Sequence, residues 1–413
     1  MTVAAVLTAD GLPLKVKLRR VERARKIRAT LLVLPLFLFI AVSFVAPIVV
    51  MLRNAVLDPK FSTIMPLTTE ALEGWSGANL PDEAAFAALA ADLKQAQTDK
   101  TTAFVGKRLN YDISGIRSKV IATGRKLEKL ETGPYRDSLI AIDPIWGEVA
   151  TWAAVERATH RVTSSYLLNA VDLEWNGAGD LVNTPVERAV YRAVFVRTMG
   201  IALSVTLITL VLGFPLAYLL AILPTRTANL LMILVLIPFW TSLLVRTTAW
   251  FVLLQDHGIV NDAIQFLHLS DHPLRLIFSR VGTIAAMTHI QLPFTLLPIY
   301  SVMKTISPSY VRAARSLGAG PYYAFWRIYF PQTVPGIAAG CLLTFILCLG
   351  YYITPALVGG PTDQMVSSLV ALSINQENNW GKASALGAIL LMATLVLYFV
   401  YNRLVGIEKM KLG

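Results

Sequence analysis

Ser307–Pro335 reads SPSYVRAARSLGAGPYYAFWRIYFPQTVP and lies between two long apolar segments. Ser307 is a good helix N-cap, and Pro308 fits the first helical turn, where its missing N–H costs nothing. Gly318 ends that helix and Pro321 suits the start of another, so the stretch predicts a compact helix-turn-helix knob that protrudes from a membrane face. Small Ala313, Ala314 and Gly318 let a second backbone come close, while Val311 and Leu317 offer apolar contact. Such a knob is a docking surface.

The flanking segments define the class of protein. The 413 residues are 55% hydrophobic and only 15% charged, with a mean hydropathy of +0.57, too apolar for a soluble globule. Crossing a hydrocarbon core takes about 20 residues of helix. Runs of that length occur near Leu31–Met51, Met199–Leu223, Leu230–Leu253, Val281–Val302, Val334–Leu357 and Ala385–Val405. The expectation is an all-α membrane protein with six transmembrane helices. Pro215, Pro238, Pro293 and Pro355 predict bends where neighbouring helices satisfy the freed backbone groups.

A net charge of +11 raises nucleic acid as a partner, and its distribution argues against one. Residues 1–28 carry eight basic and two acidic side chains, +6, just before the first apolar run. The knob and its flanks hold Lys304, Arg312, Arg315 and Arg327 with no acid among them. Residues 52–193 hold sixteen basic and eighteen acidic groups, −2, and the two later loops come to −1 each. The alternation follows the positive-inside rule and puts both termini and the knob in the cytoplasm. A cleaved secretory signal is the rival reading of the N-terminus. The apolar run is too long for one and has no obvious small-residue cleavage site.

The predicted organisation is a basic cytoplasmic segment at 1–28, a first transmembrane helix at 29–51 and a periplasmic helical insert at 52–193. A five-helix core at 194–405 comes next, with the cytoplasmic loop at 305–330, and then a cytoplasmic tail at 406–413. Within the insert, PDEAAFAALAADLKQA, SGIRSKVIATGRKLEKLE and GEVATWAAVERATHRVTSSYLLNAV all show helical spacing. Trp146, Trp152, Tyr166, Leu167 and Leu168 are its candidate core. It either meets a soluble delivery protein or braces the spans.

No catalytic or metal site presents itself, and no phosphate-cradling Gly-rich loop is present, so ATP chemistry belongs to another chain. Cys341 and Cys348, seven residues apart on one predicted helix, are ~10 Å apart and read as packing residues. His268 and His272 lie in a loop before Pro273 without a fourth ligand. Polar and aromatic residues inside the spans are the candidate solute pathway: Trp240, Trp250, His289, Gln291, Tyr351, Tyr352 and Thr354. Arg246 either lines that pathway or snorkels to the outer interface.

The knob resembles the coupling loop of ABC importer permeases, whose pattern is Glu-Ala-Ala, three residues, Gly, nine residues, Ile, one residue, Leu-Pro. Ala313, Ala314, Gly318, Ile328 and Pro331 fall at that spacing; Arg312 stands where the family has Glu, and Phe330 where it has Leu. The resemblance implies a type I permease fold, with the loop seated in a cleft of a separate ATPase subunit. Arg312 in place of an acid calls for a reversed charge on that partner. GFPLAYLLA, PFWTSLLVRTTAWFVLL, GIVND, LPFTLLPIY and LGYYITPALVGGPTDQM are similar to segments of the spermidine and putrescine branch, over most of residues 190–405 and not over the insert. That resemblance implies an inner-membrane subunit working with ATPases, a second permease and a periplasmic binding protein. It binds no cofactor itself, since ATP sits on the partner. The alternatives are another small solute (amino acid, opine-like compound or sugar) or, in a different class, a membrane-anchored sensor. A sensor would need a cytoplasmic output domain, and the predicted spans leave none.

Overall fold

The computed structural model describes residues 14–130, 133–176 and 179–405, so the expected tail at 406–413 and the first part of the N-terminal segment lie outside the described residues. The described residues divide after Asn54 into two compact units. In the first, a helix runs from Leu14 to Ile40, widens into one π turn at Ala41–Val45 and continues as Ala46–Val56. The basic segment is thus helical from Leu14 and continuous with the span. Pro47 explains the widened turn, because its ring crowds the carbonyl of Ser43 four residues back.

The second unit holds the insert and the remaining helices. The expected insert helices are present at Glu83–Thr98, Ile116–Leu127 and Val149–Thr159. Asp82 caps the first through a bond from the Ala85 N–H at 3.1 Å. Trp146 and Trp152 are fully buried, and each indole is satisfied: Trp146 Nε1 donates to Thr123 Oγ1 at 3.0 Å and Trp152 Nε1 to the Trp146 carbonyl at 2.9 Å. Phe86 packs on Trp152 with ring centroids 4.5 Å apart. Burying a ring of this size stabilises by roughly 3 kcal/mol.

The third expected insert helix stops at Thr159, and Ser165–Asn169 is a separate short helix. Tyr166 and Leu167 leave the insert core and pack instead with Leu386 and Ile389 of the last span. A two-stranded antiparallel hairpin, Leu173–Trp175 with Leu181–Asn183, was not expected in an all-helical insert. Elsewhere in the insert Arg108 is buried between Asp58, at 3.7 Å, and Asp112, at 3.2 Å.

Among the described residues four helices are long and apolar enough to cross a membrane: Arg25–Val56, Tyr191–Ile222, Pro321–Leu349 and Trp380–Arg403. The expected third span is corrected to two helices, Thr225–Trp240 and Leu243–Leu253, meeting at 96°. Pro238 lies in the 3-10 turn that ends the first, and Ser242 caps the second through the Val245 N–H at 3.2 Å. The expected fifth span ends at Leu349 rather than Leu357, with Gly350 as C-cap. Pro355 sits in a separate short helix, Ile353–Val358, so it bends no span.

Arg280–Thr305, the expected fourth span, is 26 residues long, or ~39 Å at 1.5 Å per residue. It is less apolar because Thr283, Thr288, Gln291 and Thr295 face protein rather than lipid. This helix packs between Tyr191–Ile222 and Phe330–Leu349. Gly340 permits the approach: a Cβ there would lie 2.5 Å from the Thr295 carbonyl oxygen. Hydroxyls then join all three helices, Thr295 Oγ1 lying 2.9 Å from Thr209 Oγ1 and 2.6 Å from Thr344 Oγ1.

Candidate functional site

The knob is built as its residues dictate. Ser307 Oγ accepts from the Ser309 N–H at 3.4 Å, and the helix runs Pro308–Ser316. It ends with paired backbone bonds, Ala319 N–H to the Ala314 carbonyl at 3.0 Å and Gly318 N–H to the Arg315 carbonyl at 3.1 Å. That pairing is a Schellman ending and needs a left-handed residue. Gly318 supplies it at φ +88°. The chain restarts at Pro321–Ala324 and passes through a π turn, Phe325–Tyr329, into Phe330–Leu349. Pro331 crowds the carbonyl of Arg327 and accounts for that wide turn as Pro47 does for the first.

The surface this presents is aromatic and basic. Leu317 is 89% exposed and Tyr322 83%, beside exposed Tyr310, Tyr323 and Trp326. Arg312 and Ala313 are exposed, Ala314 and Ile328 half-buried, and Pro331 exposed. Val311 departs from expectation. It turns inward onto the cluster of Leu220, Ile299 and Tyr329, so Leu317 alone of the two presents an apolar side chain outward. Beneath the knob Tyr218 packs on Phe325 at 5.5 Å and on Tyr329 at 5.4 Å, and Phe214 on Phe330 at 5.8 Å. The knob is therefore fixed by ring packing to the end of Tyr191–Ile222.

The predicted pathway residues divide. Trp250 Nε1 donates to His289 Nδ1 at 3.1 Å, and Thr247 and Thr354 share a hydroxyl bond at 3.0 Å. These pairs bring Leu243–Leu253, the central helix and Ile353–Val358 to one place. Gln291 does not share the face of His289: two residues are ~200° around a helix. It is 1% exposed, and among the described residues its Oε1 has no partner. Arg246 likewise has an unpartnered, buried Nε, and its guanidinium lies over the Phe239 ring at 5.8 Å. Tyr351 is half-buried against Ile201 and Met287. Tyr352 is 43% exposed and Trp240 78%, outside the constellation. The Thr209–Thr295–Thr344 hub was missed. Polar residues in otherwise apolar runs were its signal.

Residues 213–407 match the family described as the binding-protein-dependent transport system inner membrane component. The spermidine/putrescine transport system permease protein PotB of Escherichia coli K12 is 33% identical over 211 residues, 51% of this chain and 77% of that protein. The chain belongs to this family. The match covers the knob and every predicted pathway residue. It leaves out the insert. Another Escherichia coli K12 relative, the inner membrane ABC transporter permease protein YdcU, is 31% identical over 222 residues, 50% of this chain and 70% of that protein. Among solved structures, a bacterial ABC transporter involved in the import of the acidic polysaccharide alginate aligns with a TM-score of 0.41 and 19% identity, covering 52% of this chain and 80% of that one. The protein is thus an ABC importer permease of the inner membrane, a transport subunit and not an enzyme.

Proposed function

We propose that this permease imports spermidine, putrescine or a related small amine. A periplasmic binding protein delivers the solute, a second permease subunit completes the pathway, and ATP hydrolysis occurs on a partner seated against the exposed side of Pro308–Gly318. The observation that carries the solute is the likeness to PotB over 77% of that protein. The site is compatible with it, since the Trp250 ring and the carbonyls at the broken helices offer faces for an ammonium. Arg246 is engaged over Phe239 and serves packing rather than coordination.

A second reading, an amino acid, an opine-like compound or a sugar, draws support from the same arginine. The spans contain no Asp or Glu to answer a polycation, and the half-buried Arg246 guanidinium repels one. Uptake of labelled putrescine and spermidine by cells with and without this chain, beside sugars and amino acids, decides between them. Loss of amine uptake alone on deletion is the expected result. Unchanged amine uptake with loss of a sugar or amino acid overturns the polyamine assignment and leaves the permease assignment standing.

A further inference from the structure

A cavity of about 420 Å³ opens where the insert meets the entry to the last span, lined by Lys107, Asn110, Tyr111, Arg117, Gln376, Glu377 and Lys382. Its walls come from distant parts of the chain. Thr102–Leu109 and Ile116–Leu127 cross at Gly106, where a Cβ would lie 3.0 Å from the Arg117 carbonyl oxygen, and this close approach brings Lys107 near Arg117. From the opposite side, Lys382 pairs with Glu377 at 3.0 Å. Lys107 Nζ donates to the Glu377 carbonyl and Asn379 Nδ2 to the Tyr111 hydroxyl, so the two walls are tied together.

The charges in this cavity do not balance. Lys107, Arg117 and Lys382 face one carboxylate, Glu377, which Lys382 already engages. The lining is +2. Among the described residues neither Lys107 nor Arg117 has a carboxylate within 4 Å. Burial pushes the Lys107 ammonium below its usual range; Glu377 opposes that, while Arg117, Lys382 and Lys60 add to it. An oxyanion would relieve this repulsion with charge-assisted hydrogen bonds. Neutral donors are at hand too: Asn110 Oδ1 accepts from the Gly115 N–H at 2.9 Å, leaving its NH₂ group to donate.

Depth in the membrane selects the source of the anion. Trp380, 52% exposed, opens the last apolar helix, with Lys382 two residues on. Exposed Trp at the end of a span marks headgroup level. The volume also exceeds what a bare phosphate fills and suits a glycerophosphate. We propose that this cavity is an oxyanion site that takes the phosphate of an anionic phospholipid headgroup, with inorganic phosphate able to use the same donors, and so clamps the insert to the bilayer.

The test uses the purified full-length chain, stripped of lipid in detergent, and thermal unfolding at fixed ionic strength. Phosphatidylglycerol is expected to raise Tm by about 3–6 °C through binding to the folded state, and phosphatidylcholine is not. A rise with inorganic phosphate of the same size assigns the site to the phosphate group itself; a rise with phosphatidylglycerol only assigns it to the whole headgroup. Arg117 makes no bond to another described side chain, so Arg117→Gln should lose most of the rise without harming the fold. Glu377→Gln removes the single carboxylate and should lower the half-saturating phosphatidylglycerol concentration about five-fold. Misfolding cannot produce that gain. Equal shifts with both lipids, or both variants titrating as the parent does, would overturn the proposal.

Discussion

Gly318 is the residue on which the knob turns. Its φ of +88° closes the Schellman ending, and a Cβ there would meet nothing within 4 Å. The penalty of substitution is therefore conformational and not steric, roughly 1–2 kcal/mol for an L-residue held left-handed. Substitutions should grade accordingly, with Asn tolerated best, Ala next and β-branched Val worst. Gly318→Val is expected to lower solute uptake and ATPase co-purification while the permease stays in the membrane, and Gly318→Asn to retain most of both. Uptake and assembly unchanged in Gly318→Val would remove the coupling role. Ser307, Pro308, Gly318 and Pro321 were legible in the sequence because caps and turns are decided within about four residues. Val311 was not. Its inward turn depends on Leu220, Ile299 and Tyr329, and no local rule announces partners from other helices.

Among the elements, the three-helix core rests on close backbone contact. Gly340 faces the Thr295 carbonyl oxygen at a would-be Cβ distance of 2.5 Å, and Gly336 faces the Val302 Cβ at 2.9 Å. Gly200, also in a span, has nothing within 4 Å. Small residues let membrane helices approach where lipid gives no hydrophobic drive. Gly340→Ala should therefore destabilise by about 1–3 kcal/mol as overpacking, while Gly200→Ala should be neutral or gain up to ~1 kcal/mol of helix propensity. Thermal unfolding in detergent reads the difference, and equal Tm values for the two variants would contradict this packing. The spans were legible as apolar runs, but their ends were not. Hydropathy does not register the break at Thr241–Ser242, where a 3-10 turn meets a serine cap, or the stop at Gly350. The hairpin at Leu173–Asn183 escaped because three-residue strands carry too short a period to stand out.

At the scale of the whole molecule, the charge pattern predicts how the chain is ordered across the membrane. The −2 insert lies between a +6 N-terminal segment and a second span that leads toward basic loops. Short basic loops are retained in the cytoplasm, so the insert should face the periplasm and the knob the cytoplasm. Asp112 is unsuited to a reporter fusion, being packed against Arg108 at 3.2 Å. Exposed Ser114 in the insert and exposed Ser316 at the end of the knob helix are better probes. Native Cys341 and Cys348 lie within a membrane helix, half-buried and buried, and give a low background. In intact spheroplasts that make the permease without its ATPase partner, a membrane-impermeant maleimide should label Ser114→Cys and spare Ser316→Cys; after permeabilisation it should label both. Labelling of Ser316→Cys before permeabilisation, or protection of Ser114→Cys, would invert the topology. It would also move the basic knob to the side where no ATP is available, and the docking proposal would fall with it.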